Sequence, residues 1–312
     1  MEIIERLRGK LIPAVPVPWT DGKLNEKVQE DYIQYMKREG VDSAAVWAHT
    51  GRGLEIDKDT RMQVLKSWRD GLGAEGIIVA GAGAKPDTDR KVYLENALAM
   101  AQDAVEGKAD ALLVFPPTLY REEPDREELI YQHHLILGEL GIPLILFFLY
   151  DEAGGISYSP DLLVKLLAIP EVVGIKMATL DSIMTYQDVS RLIEEKGRGK
   201  LMITGEDRMF PYTMMRGAQA ALVGLGSALP GKQMAMMDAY FKKDWPRFME
   251  LARWVDAFAE VTFIQPMEGY ILRMLWALVE LGVLPKEAAQ DPTGLQLSDA
   301  EIQNVRSFVS CS

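Results

Sequence analysis

A lysine stands in the middle of an apolar octet, Val172-Val173-Gly174-Ile175-Lys176-Met177-Ala178-Thr179. Apolar residues occupy even and odd positions alike, the pattern of a short strand buried on both faces. Burying an ammonium group is costly unless it is paired, so a lysine in such a place tends to give up its proton. A neutral lysine amine is a nucleophile that forms a Schiff base with a carbonyl. A strand-end lysine that reaches back to water, or one paired with a carboxylate, fits the same octet. His49-Thr50-Gly51 is a second place with chemical capacity. Thr50 offers a hydroxyl, and Gly51 lets backbone N–H groups approach a small anion, although a plain turn has the same composition. His49 can move protons near neutral pH or simply bond to its own loop. Glu206-Asp207 reads as the acidic start of a helix. Gly224 and Gly226 make room for a neighbouring backbone or a substrate, since a lone G-x-G is weak evidence for phosphate.

The bulk properties narrow the function. A chain of 312 residues accommodates one large α/β barrel or two smaller domains. A net charge of -12 argues against a nucleic-acid surface, which needs basic stripes. No apolar run reaches the roughly 18 residues of a membrane span, and the first residues lack a signal-peptide pattern. The single cysteine, Cys311, can build neither a disulfide framework nor a cysteine metal site. Of the three histidines, His133 and His134 fall mid-helix and read as surface or interface residues, so a histidine-based metal site is not expected. The chain reads as a cytoplasmic protein that calls for no cofactor or metal. The methionines Met214, Met215, Met234, Met236 and Met237 read as helix packing.

The elements that must position these residues follow a repeating order. Apolar strands are expected at 11–18, 41–48, 76–83, 111–115, 142–150, 172–179, 201–204 and 220–226. Helical patterns are expected at 26–39, 57–70, 87–106, 124–140, from Ser159-Pro160 onward, at 182–195 and at 209–216. Continuous apolar strands joined by helices imply a parallel sheet. Eight such units predict an α/β fold, a closed (β/α)8 (TIM) barrel, whose site lies at the C-terminal ends of the strands. Four more helical patterns, at 232–241, 245–258, 267–281 and 298–309, suggest a C-terminal helical extension. The expected division is a barrel over 1–230 with the extension over 231–312 packed on it.

Taken in order, these residues resemble the dihydrodipicolinate synthase/N-acetylneuraminate lyase family. The resemblance rests on Leu11-Ile12-Pro13-Ala14-Val15, His49-Thr50-Gly51, Gly174-Ile175-Lys176, Gly205-Glu206-Asp207 and the glycines of the eighth strand, and it spans about Leu11 to Pro285. It implies a barrel with a helical extension, a homo-oligomer (tetramer or dimer), and a Schiff base between Lys176 and pyruvate or another 2-oxo acid. Thr50 and Gly51, with Gly224 nearby, would then bind the substrate. Departures from the family pattern are specific. The strand-two signature, usually Gly-Thr/Ser-Thr-Gly-Glu, runs Ala48-His49-Thr50-Gly51-Arg52 here. The family's proton-relaying tyrosine aligns with Phe147, whose ring cannot carry a proton. Tyr150 would substitute only if its loop brought the hydroxyl back. The synthase arginine that holds a second carboxylate falls near Glu152, and the strand-four tyrosine pair is replaced by Pro117-Thr118 with Tyr120 nearby.

These losses argue against dihydrodipicolinate synthase proper and leave the Schiff base intact. The leading expectation is a class I, Schiff-base lyase, either aldolase or dehydratase, acting on a 2-oxo acid or 2-keto-3-deoxy sugar acid. Lys176 would be the nucleophile, with His49 or Tyr150 moving protons. A 2-oxo acid binding or sensory protein that lost its relay is the alternative, and a structural lysine paired with a buried carboxylate is a third.

Overall fold

The computed structural model describes residues 2–86, 89–150, 154–180, 182–197 and 199–311. Eight strands form one parallel sheet: β1 (Leu11–Pro13), β2 (Ser43–Val46), β3 (Ile77–Ala82), β4 (Ala111–Val114), β5 (Leu144–Leu149), β6 (Val172–Ala178), β7 (Leu201–Thr204) and β8 (Ala220–Val223). From β2 onward each strand pairs with the next in sequence, and β1 pairs with β8 through Leu11↔Ala221 and Pro13↔Val223. A bridge between Ala14 and Ala45, with Val15 N–H donating to the Ala45 carbonyl at 3.1 Å, closes β1 onto β2. This is the (β/α)8 barrel the strand count predicts, including the short, doubly buried strands of that architecture.

Between the strands run α2 (Glu26–Arg38), α3 (Lys58–Leu72), α4 (Arg90–Glu106), α5 (Arg126–Gly138), α6 (Pro160–Leu167), α7 (Ile183–Lys196) and α8 (Phe210–Met215). The helix starts follow their caps. Asn25, Asp57, Asp89, Ser159 and Ser182 each accept a first-turn backbone N–H, and Pro160 occupies the first helical position of α6. The start expected at Asp87 lies outside the described residues. A short α1 (Glu2–Leu7), not anticipated from the sequence, packs Leu7 with the barrel interior at its N-terminal end. After β8 come α9 (Pro230–Phe241), α10 (Trp245–Thr262), α11 (Tyr270–Glu280) and α12 (Asp299–Ser310). Among the described residues no helix is long and apolar enough to cross a membrane.

One irregularity sets the phase of the lysine strand. Leu144 pairs with Val172, but Ile145 pairs with Gly174, so β6 carries one extra residue at Val173. A bulge of this kind switches which side chains face inward. Val172 belongs to the outer core beneath the helices, as Leu144 does. Beyond the bulge, Lys176 lies in register between Phe147 of β5 and Ile203 of β7, both interior residues. Without the extra residue the alternation begun at Val172 would turn Lys176 out toward the helices.

Two sequence expectations fail here. His133 and His134 are fully buried, not superficial. Their helix, α5, is wedged among Tyr93, Tyr120 and Tyr158, whose rings surround both imidazoles at centroid distances of 5.9 to 6.4 Å. Met214, Met236 and Met237 are buried as helix-packing residues should be, whereas Met215 is exposed at the end of α8.

Candidate active site

Lys176 is buried at the C-terminal half of β6, with its Nζ 4.1 Å from the centre of the Phe147 ring. Gly205, just after β7, makes space for it: a Cβ there would lie 2.5 Å from Lys176 Cε. Among the described residues no carboxylate forms a close ion pair with the amine. Burial pushes its pKa down from the usual lysine value, and the charges of Asp207 and Glu206 partly oppose that shift. Among the described residues, then, this lysine lacks the close carboxylate contact that the structural, paired alternative calls for.

The two acidic residues are not the start of a helix, because α8 begins later at Phe210 with no side-chain cap. Glu206 instead accepts from the Thr179 N–H, the Thr179 hydroxyl (2.7 Å) and the Leu180 N–H (2.9 Å). It therefore ties the end of β7 to the turn that follows the lysine strand. Asp207 accepts from Leu225 N–H at 2.7 Å and so ties the same turn to the end of β8. Burial raises the Glu206 pKa to about 6 and raises that of Asp207 as well, with the nearby Lys176 charge acting in the opposite sense.

Strand two ends in a tight turn. Gly51 N–H donates to the Ala48 carbonyl at 3.0 Å, and a Cβ on Gly51 would lie 2.9 Å from the Val15 carbonyl oxygen. In this conformation the turn itself engages the Gly51 N–H. Thr50 does face the lysine cavity, and its hydroxyl pairs with the Tyr270 hydroxyl at 2.9 Å. Tyr270 stacks on Phe263 (4.6 Å, 23°), and burial raises its pKa well above the ordinary phenol range. Gly224 also lines the cavity; a Cβ there would meet the Tyr270 and Phe263 rings at 2.9 and 3.1 Å.

His49 Nε2 lies 2.8 Å from Glu268 Oε1. The His49 contact and then Arg52 hold the Glu268 carboxyl low, at about 2, so it stays an acceptor and Nε2 must carry the hydrogen. Nδ1 is then the nitrogen that can take a proton. Arg52 donates to Glu268 at 2.5 Å and, through Nε and Nη2, to Asp291 at 3.1 and 2.9 Å. The arginine that replaces the family's glutamate thus clamps the strand-two turn to the C-terminal segment.

These groups enclose a cavity of about 40 Å³ at the lysine, lined by Lys176, Thr50, Tyr150, Asp207, Gly224 and Tyr270, with His49 at its edge. Tyr150 is brought to it because the chain leaves β5 at Leu149 and its N–H donates to the Ala178 carbonyl at 2.8 Å. Glu152, the position of the synthase arginine, lies outside the described residues. Tyr120 sits instead in the aromatic cluster around His133. Tyr270 and Glu268 are absent from the sequence expectations. No local motif marks them, and their partners stand about 220 residues earlier. A larger cleft of about 460 Å³ beside Lys200 and Arg216 opens at the other end of β7 and does not reach the lysine.

The molecule is thus a (β/α)8 barrel with a buried lysine on its sixth strand, opening on a small polar cavity at the C-terminal mouth. Residues 8–310 match the Dihydrodipicolinate synthetase family, and the chain belongs to that family. It is similar to the 4-hydroxy-tetrahydrodipicolinate synthase of Saccharophagus degradans, 25% identical over 89% of this chain and 90% of that one. It is also similar to that of Pseudomonas aeruginosa, 24% identical over 90% of each. Among solved structures, a dihydrodipicolinate synthase from Agrobacterium tumefaciens superposes with a TM-score of 0.84 at 20% identity, covering 99% of both chains. An N-acetylneuraminate lyase from Mycoplasma synoviae gives 0.79 at 18% identity, covering 99% of this chain and 98% of that one. At these identities the structural likeness speaks for the fold.

Proposed function

We propose that the protein is a Schiff-base-forming lyase acting on pyruvate or on a 4-hydroxy-2-oxo acid that releases it. The observation that carries this reading is the Lys176 amine, desolvated at a cavity and, among the described residues, without a close ion pair. A desolvated amine is more fully neutral near pH 7 and hence nucleophilic. It attacks the ketone carbon of the 2-oxo acid; the carbinolamine loses water and leaves an iminium. In the cleavage direction His49 Nδ1 takes the proton from the 4-hydroxyl. The C3–C4 bond then breaks, its electron pair neutralises the iminium as an enamine, and an aldehyde departs. Protonation at C3 and addition of water return pyruvate and the free lysine. Loss of the 4-hydroxyl from a 2-keto-3-deoxy sugar acid would use the same iminium: a C3 proton leaves to give the enamine, whose electron pair expels the 4-hydroxyl as it takes up a proton and departs as water, so a carbon–oxygen bond breaks instead.

The Thr50 and Tyr270 hydroxyls are the carboxylate-binding pair in this reading. The two hydroxyls bond to each other at 2.9 Å, so binding a carboxylate there turns them from one another to the substrate. Glu268 is a positioning residue for His49, and Tyr150 on the cavity wall is the second candidate for proton transfer. His49 and Tyr150 weigh against a purely sensory role, since they supply carriers where Phe147 cannot. Residues 231–312 are read as an extension of the 1–230 barrel that completes the site with Phe263, Glu268 and Tyr270. Homo-oligomerisation and a cytoplasmic location are carried by the family resemblance. A coupled assay of pyruvate release from 4-hydroxy-2-oxo acids and 2-keto-3-deoxy sugar acids tests the reading. Lys176→Ala is expected to lower turnover by more than about 10³-fold, and full retained activity in that variant would end it.

A further inference from the structure

A second cavity of about 250 Å³ adjoins the lysine cavity, and His49 and Leu149 line both. Its walls come from the ends of β2, β3, β4 and β5, and the apolar share includes Leu54, Ala84, Pro86, Phe115 and Pro116. Its cation, Arg52, is already committed to Glu268 and Asp291. Glu55 on the rim is held by Lys85 at 2.6 Å. Two positive groups against three carboxylates leave this wall with one net negative charge among the described residues. A substrate carboxylate placed here would meet repulsion and no uncommitted guanidinium. Besides the committed Arg52 and Glu55 and the shared His49, the polar side chain on this lining among the described residues is Thr118, so a polyhydroxylated chain would leave hydroxyls unpaired against Leu54, Ala84 and Phe115, and such unpaired polar groups oppose binding. An apolar group fits: a dry cavity of about 150 Å³ is enough for a benzene ring.

Resting on the Schiff-base reading above, we infer that this cavity receives the uncharged, apolar side of the second substrate: an aryl or alkyl aldehyde, not a sugar or an anionic semialdehyde. In the condensing direction the enamine carbon C3 on Lys176 attacks the aldehyde carbon. A carbon–carbon bond forms, the carbonyl π pair becomes an alkoxide, and protonated His49 on the shared wall delivers its proton there. Water then releases a 4-hydroxy-2-oxo acid whose aryl or alkyl group occupies the second cavity.

The test has two stages on the intact protein. Borohydride reduction with pyruvate reports the Schiff base alone. Pyruvate consumption is then compared with benzaldehyde, hexanal, erythrose and succinic semialdehyde as partners. The expected result is an adduct, with kcat/KM for benzaldehyde or hexanal at least about 10-fold above either polar aldehyde, the scale on which apolar pockets discriminate. Leu54→Arg, which adds an uncommitted cation to the wall, is expected to raise the succinic semialdehyde to benzaldehyde ratio. If that variant does not fold, the wild-type ranking still decides. Adduct formation with erythrose or the semialdehyde equal or preferred, or with no aldehyde consumed, overturns the pocket assignment and leaves the Schiff base standing. Failure to form any adduct overturns both.

Discussion

Strand β5 has a buried titratable cluster on each side, and the two clusters behave differently. Phe147 turns inward beneath Lys176. Phe148, its neighbour, turns outward against Tyr158, which in turn meets His134 and through it His133. Burial makes the basic groups on both sides harder to protonate, and holds His133 at about 3 and His134 at about 4. Only Lys176 has carboxylates near enough to oppose that shift and a cavity from which a substrate can reach it. Both ring nitrogens of His133, Nε2 of His134 and the Tyr158 hydroxyl are buried without a hydrogen-bond partner among the described residues, enclosed by rings. Desolvation alone makes a weak base; access and counter-charge make a reagent of it.

The sharpest way to break this contrast is to remove access while leaving burial in place. Gly205→Ala puts a methyl group against the Lys176 stem. A displacement on the order of 1 Å is expected to lower adduct formation about 10²-fold, measured as the rate of borohydride-trapped product, with circular dichroism unchanged. Equal rates in this variant and wild type would show that the lysine position is not critical.

The second prediction concerns the histidine side. A folded pKa depressed below the unfolded value of about 6.5 means that the unfolded chain binds more protons between the two. Stability is therefore fully present above pH 6.5 and is lost as pH falls toward 4 and then 3. The loss is on the order of 2 kcal/mol per histidine by pH 5. Thermal melts from pH 7 to pH 5 should show the decline, and His133→Leu should flatten it while leaving turnover near wild type. A slope unchanged by that substitution would assign the pH dependence elsewhere.

A smaller effect returns to the lysine. Asp207 favours the charged amine, so Asp207→Asn should lower the lysine pKa further. The acid limb of adduct formation then moves to lower pH, by on the order of one unit. A shift to higher pH would contradict the placement of Asp207 beside the amine.

Much of the barrel was legible because its strands are continuous apolar runs separated by capped helices, and Asn25, Asp57, Ser159 and Ser182 cap as their types suggest. The inward direction of Lys176 was not legible. An octet apolar at even and odd positions alike carries no phase, and the extra residue at Val173 sets it. His49, Thr50 and Tyr150 were legible as strand-end residues, but their partners were not. Glu268 and Tyr270 reach the barrel mouth from the far C-terminal part of the chain, where nothing in their local sequence signals a site. The histidine pair misled because its burial comes from tyrosines on other elements, Tyr93, Tyr120 and Tyr158.

The most direct test of the account is reduction of the pyruvate-loaded protein with borohydride, followed by mass spectrometry of its peptides. A reduced pyruvyl adduct on the peptide containing Lys176, absent from Lys176→Ala, is the predicted result. An adduct on another lysine, or none on the folded protein at saturating pyruvate, would contradict the claim that this buried amine is the nucleophile.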